Sequence, residues 1–292
     1  MTTNLFKNLI FNHVKDIYSM MSGRGSKCGR DIINSPHLEM ISRYAMSWNF
    51  IKHYLPEKDN VLVKRRWYVI SQYCQHENAT LDTLIHLLEW SPDYNPQNEL
   101  EECHQDLFYN VASRGHRDIL ELLLQRYPNI SMNGDPRAMH IASANGHLST
   151  IQLLSSSVEG IECTTDCMDE AASNGHLNVV MYLDQTRSEG CSHNAINWAS
   201  RNGHFDIVKY LSSHRTEGCT SVAMDRAAEN GHFNILEYLH LNRSEGGSTS
   251  KAMDSAASNG HYEIVEWLNL NRSEEGCTTD AIDYAAKKKM GI

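Results

Sequence analysis

Apolar residues recur along this chain as two alternating helical stripes. Counting forward from Gly203, Phe205, Ile207, Val208 and Leu211 stand at offsets of two, four, five and eight, and Phe233, Ile235, Leu236 and Leu239 repeat those offsets after Gly231. This is the 3.6-residue rhythm of a helix with one buried face. Counting backward, the seventh residue before each such Gly is Phe108, Met139, Met168, Ile196, Met224 or Met253, and the eighth, fourth and third are mostly Ala. Those offsets share one side of a helix, where small side chains let a neighbouring helix approach closely. The pattern predicts a short helix A packed on its own kind, a sharp turn, and an amphipathic helix B.

The turn is a Gly-His pair, beginning at Gly115, Gly146, Gly175, Gly203, Gly231 and Gly260, with separations of 31, 29, 28, 28 and 29 residues. A fixed period of this size is the signature of a solenoid. Gly is expected to end helix A in the left-handed conformation, and His to bond backbone groups at the bend. Polar loops follow helix B, as in RSEGC from Arg187 to Cys191 and RTEGC from Arg215 to Cys219. Thr165, Ser221, Ser250 and Thr279 are the expected caps of the next helix A. Helices of about ten residues do not hold alone in water, where roughly 12 to 15 are needed. Stability must therefore come from stacking one pair on the next.

The expected fold class is all-α: an α-solenoid of stacked helix-turn-helix repeats with a helical N-terminal cap. Residues 1–60, including a helix over Leu5 to Met20 and a further worn copy over 37–55, form the cap region. Residues 61–100 form a degenerate first repeat, because NATLDTLIHLL from Asn78 to Leu88 overlays NGHFDIVKYL. The array occupies 101–292, and its last copy is incomplete, since AIDYAA from Ala281 to Ala286 begins a helix A that KKKMGI cuts short.

A helix, a Gly-His turn, a second helix patterned as GHFDIVKYL and a loop to the next copy together resemble ankyrin repeats. AMDRAAENGH, from Ala223 to His232, corresponds to that family's TPLHxAAxxGH. The resemblance spans roughly residues 100 to 286 and is greatest to the short-period ankyrin-like proteins of social amoebae. It departs from the family in its period of 28 or 29 residues, against about 33. It departs again where the TPLH histidine stands, which is usually Asp or Asn here and survives only as His140. The resemblance implies a protein-binding scaffold.

Composition and charge narrow the partner. The formal charge is -10, but residues 1–95 carry 11 cationic against 9 acidic side chains, while 96–292 carry 15 against 27. An acidic array repels phosphate backbones, so no nucleic-acid partner is expected. The chain shows no apolar run near the roughly 18 residues of a bilayer span, and its scattered cysteines suit a reducing, cytoplasmic setting.

The recurrent histidines and cysteines invite a metal reading that spacing refutes. Stacked helices stand about 8 to 10 Å apart, whereas zinc ligands lie about 2.0 to 2.3 Å from one ion. The same spacing exceeds the roughly 7 Å limit for a disulfide, so Cys163, Cys191, Cys219 and Cys277 are expected to be free thiols. CTTDC, from Cys163 to Cys167, lacks the second close pair of a metal site. SGRGSKCGR, from Ser22 to Arg30, lacks the order of a phosphate loop and reads as a solvated loop. Lys64, Arg65 and Arg66 read as an exposed helix face, and Tyr182, Tyr210, Tyr238 and Trp267 as packing.

Catalytic groups converge once, in a distinct environment, whereas here the polar residues repeat with the architecture. The sequence therefore predicts no catalytic, cofactor or metal residue and a non-enzymatic protein. Variation on helix A marks the expected contact strip. Five before each Gly the side chain changes through Glu170, Trp198, Arg226 and Tyr284, and two before it through Arg201 and Glu229. Trp, Tyr and Arg dominate binding hot spots, so these six residues are the predicted partner-binding set of a monomer that binds another protein. The alternative function is a substrate-recruiting ubiquitin-ligase adaptor, with an F-box-like N-terminus supplied by Leu5 to Met20.

Overall fold

Among the described residues, Ala, Met and Leu at helical spacing, flanked by a hydroxyl on one side and Gly on the other, close into the helices of the repeated copies. The computed structural model describes residues 38–96, 104–128, 136–243, 249–271 and 278. Among these, the regular elements are sixteen α-helices and one 3-10 turn, with no strand. The chain divides into two compact units, residues 1–131 and 132–292.

In the first unit, α1 (Glu39–Ser42) and α2 (Trp48–Ile51) are followed by a 3-10 turn at Lys58–Asn60, then by α3 (Val63–Cys74), α4 (Leu81–Trp90), α5 (His104–Arg114) and α6 (Arg117–Arg126). α3 packs on α1 and α5, and α4 on α2 and α6. Their core is formed by side chains such as Ile41, Ile51, Val69, Ile70, Leu84 and Leu87, all fully buried. The stretch 37–55 thus supplies two four-residue helices in place of a full pair.

One expectation fails here. Arg66 is 6% exposed rather than part of a solvated face. It shares the inward side of α3 with Val69, Ile70 and Tyr73, and its guanidinium is fully engaged. Nη1 donates to the carbonyls of Lys58 (2.8 Å) and Val61 (2.7 Å), Nε to Ser91 Oγ (3.1 Å), and Nη2 to Asp93 Oδ2 (2.6 Å). A buried charge persists only when paired in this way, and the Arg66 bond holds the Asp93 carboxyl below its ordinary value. Three cations in a row did not reveal that the third falls on the buried side.

In the second unit, helices A are α7 (Arg137–Ala144), α9 (Thr165–Ser173), α11 (His193–Asn202), α13 (Ser221–Glu229) and α15 (Ser250–Asn259). Helices B are α8 (Leu148–Ser157), α10 (Leu177–Thr186), α12 (Phe205–His214), α14 (Phe233–Asn242) and α16 (Tyr262–Asn271). Each helix A packs most extensively on its neighbouring helices A and next on its own helix B, while successive helices B touch less. The Ala face is the reason: Ala195, Ala199, Ser200, Ala223, Ala227 and Ala228 are fully buried between adjacent helices. The aromatic series behaves as packing. Tyr238 meets Phe205 of the preceding copy edge-on at 5.6 Å, and Trp267 meets Phe233 at 6.1 Å.

The caps sit one residue earlier than the sequence suggests. Thr164, Ser192, Thr220 and Thr249 are the N-caps, extended in backbone, with side-chain oxygens accepting from the amides of Asp166, Asn194, Val222 and Lys251. Thr165, Ser221 and Ser250 are the first helical residues instead. Adjacent hydroxyls made the two registers equivalent in sequence, and only the extended backbone of the earlier one lets its oxygen face the first-turn amides. The helix expected over Leu5 to Met20, the loop Ser22 to Arg30, Thr279, Ala281 to Ala286 and the residues of RSEEGC all lie outside the described residues.

Candidate functional site

Each A-to-B bend is built by three consecutive residues. Gly carries positive φ at all six turns, from 69° at Gly115 to 85° at Gly175, a conformation that costs side-chain-bearing residues about 1 to 2 kcal/mol. The His that follows donates its amide to the fifth residue before it, as His204 does to Ala199 O (2.9 Å) and His232 to Ala227 O (2.8 Å), closing the six-to-one bond that ends helix A. Its ring then reaches back one copy. His232 Nε2 bonds Arg201 O (3.1 Å), His261 Nε2 bonds Glu229 O (3.1 Å), and His116 Nε2 bonds His76 O (2.7 Å). At three turns the Asn before the Gly reaches the same class of carbonyl: Asn174 Nδ2 donates to Ala144 O (2.9 Å), Asn202 to Ser173 O (2.7 Å) and Asn259 to Glu229 O (2.8 Å), whereas Asn230 donates to Arg226 O of its own helix (2.9 Å). These carbonyls are orphans at the end of the preceding helix A, so Asn-Gly-His is a connector between copies.

The Gly is required twice over. A Cβ placed on Gly203 would stand 2.6 Å from Cε1 of His232, and one on Gly175 would stand 2.7 Å from Cε1 of His204. The imidazole of each copy therefore rests on the Gly of the one before. Burial lowers the proton affinity of His176 and His232, and the neighbouring ladder imidazoles lower it further. Among the described residues, no three of His, Cys, Asp and Glu converge as a metal-binding group.

A second connector occupies the place of the family's TPLH histidine. Asp169 accepts from the amide and hydroxyl of Ser192 (2.8 and 2.5 Å), and Asp225 from those of Thr249 (2.8 and 2.8 Å). Asp254 accepts from Thr278 in the same way. Asn197 makes the equivalent pair with Thr220, accepting from its amide at 3.1 Å and donating to its hydroxyl at 2.9 Å. A carboxylate or amide here ties one helix A to the N-cap of the next, which accounts for the departure from the family residue. Sequence reading noticed the replacement but not its purpose, since the partner stands 23 or 24 residues away.

The loops after helix B are closed by ion pairs. Arg187 pairs with Glu189 (2.6 Å), and Arg215 with Glu217 and with Asp184 of the preceding helix B (3.1 Å). Arg215 lies against Gly190 of the loop before it.

With backbone and connectors accounted for, the strip on helix A remains. Arg201 and Arg226 are exposed, and Glu170, Trp198 and Glu229 are half-buried, on the consecutive helices α9, α11 and α13. Glu170 faces His140 of the preceding helix A at 3.2 Å. Arg226 and Glu229 form an ion pair along one helix. At Arg201 and Glu229 the connector uses only the carbonyl, so the architecture leaves these side chains free to vary. Tyr284 lies outside the described residues.

The architecture is that of an all-α solenoid of stacked helix-turn-helix repeats. Residues 168–248 match the family model for ankyrin repeats, in three copies. A similar solved structure is the human ASB11 ankyrin repeat domain, 17% identical, covering 59% of this chain and 84% of that one with a TM-score of 0.46. No curated protein matches.

Proposed function

We infer that this chain is a non-enzymatic protein-interaction scaffold whose partner is another protein bound along the helix-A strip. The carrying observation is the division of labour on helix A. Ala, Met, Asp or Asn and the turn residues are consumed by packing and connectors, while Glu170, Trp198, Arg201, Arg226 and Glu229 vary and reach solvent. Tyr284 belongs to the same register. The ankyrin-repeat match over 168–248 supports this reading, because that family mediates protein binding. In this reading residues 1–60 cap the array, 61–100 form its worn first repeat, and 101–292 carry the remaining copies. The chain acts as a monomer in the cytoplasm. No helix among the described residues is long and apolar enough to cross a membrane. The ligase-adaptor reading rests on Leu5 to Met20 and has no observation in its favour.

Affinity capture from native cytosol, with the wild-type chain and with a Trp198→Ala/Arg226→Ala chain, tests the strip by quantitative mass spectrometry. At least one protein captured by the wild type should be lost from the double variant while its circular dichroism is unchanged. Identical captured sets would remove the strip.

A further inference from the structure

Before the N-caps of α9, α11 and α13 stands a ladder of buried thiols, Cys163, Cys191 and Cys219, none of them in a disulfide. Four residues further on, the next two copies carry Ala195 and Ala223, but the first carries Cys167. Within this ladder only Cys163 is therefore followed by a second thiol. The first turn of α9 folds the chain back between them, with the Cys167 amide donating to Thr164 O at 3.1 Å. The two thiols interact across this turn, where Cys163 Sγ donates to Thr164 O at 3.7 Å. Cys167 is fully buried, whereas Cys163, 8% exposed, lines a cavity of about 420 Å³ walled by Ser155, Ile161, Glu162, Arg187 and Glu189.

We propose that Cys163 and Cys167 are a redox-active dithiol, closed to an intramolecular disulfide by hydrogen peroxide entering through this cavity. The pair gives up one proton more readily than two. Their interaction holds Cys167 below the ordinary thiol value against its burial, and raises Cys163 in turn. Positive charge on Arg187 favours the thiolate of both. Cys191 has no such partner, and burial pushes it up to about 12. In the first step the thiolate sulfur attacks one peroxide oxygen, the O–O bond breaks, and the departing hydroxide takes up a proton to become water. The sulfenic acid so formed is attacked at sulfur by the second thiol, which loses its proton. The S–S bond forms, the S–O bond breaks, and a second water leaves. Two thiols are oxidised by two electrons, and peroxide is reduced to two waters.

Tryptic cleavage makes the test direct, because the fragment from Ala138 to Arg187 contains Cys163 and Cys167 and no other cysteine. The full chain, freed of reductant, is treated with hydrogen peroxide, alkylated with iodoacetamide, digested and weighed. The 138–187 fragment should lose both alkylation sites together and regain them after dithiothreitol, while Cys191 and Cys219 remain alkylated. Cys167→Ala, which installs the residue present in the next two copies, should keep its thermal midpoint and abolish the disulfide, leaving Cys163 as an alkylatable thiol or a dimedone-reactive sulfenic acid. Full alkylation of the wild-type fragment after peroxide would overturn the proposal. So would peroxide sensitivity equal at Cys163, Cys191 and Cys219.

Discussion

Gly203 shows how two separate demands converge on one residue. Its φ of 84° disfavours any side chain, and the ring of His232 fills the space a Cβ would take. Gly203→Ala should therefore destabilise the chain by more than the about 1 to 2 kcal/mol of the backbone conformation alone. The two demands separate in a double-mutant cycle with His232→Ala, read by urea unfolding. In the His232→Ala background the clash is gone, and Gly203→Ala should cost only the backbone share. A coupling near zero would mean that the imidazole moves aside freely and that the glycine serves the turn alone.

Between helices, the Asp connectors tie one helix A to the start of the next copy. Asp225 satisfies both the amide and the hydroxyl of Thr249, fixing where α15 begins relative to α13. Asp225→Ala leaves a part-buried donor pair without its acceptor and should cost about 1 to 3 kcal/mol. Asp225→Asn should cost less than about 1 kcal/mol, since Asn197 makes the same two contacts with its amide. Thermal melts of the three chains decide this. An Asn variant as unstable as the Ala variant would show that charge, rather than geometry, holds the joint. This joint also marks the limit of what the sequence displayed. Helix type, the small-residue face and the left-handed Gly were legible because each follows from spacing within one copy. The connectors were not, because Asp225 and Thr249, or His232 and Arg201, join neighbouring copies and leave no local pattern. Arg66 illustrates the converse: charge suggested solvent, while its position beside Val69, Ile70 and Tyr73 placed it inside. The variable strip was legible as variation away from the small-residue face, while the half-burial of Glu170, Trp198 and Glu229 within it needed coordinates.

Within the unit of residues 132–292, His176 and His232 respond to pH with the same sign. His176 and His232 take up protons less readily when folded, first because burial removes solvent from the charged ring and then because His147, His204 and His261 stand next in the ladder. Unfolded, each titrates near its ordinary value of 6.5. Between that value and the lowered one the unfolded chain binds more protons, so stability rises with pH through the window and is lost as pH falls through it. Asp169 works in the opposite direction: burial raises its carboxyl, so the folded chain takes that proton first and gains from acid. Its range begins from 3.8, which separates the two effects if melts are confined to pH values between about 7.5 and about 5.5. Over that interval the thermal midpoint should fall steadily. In a His176→Gln/His232→Gln chain, which keeps an amide donor near each carbonyl and removes two of the titrating rings, the slope should flatten. An unchanged slope would mean that these two imidazoles titrate alike in the folded and unfolded chain, and would assign the pH dependence to other groups.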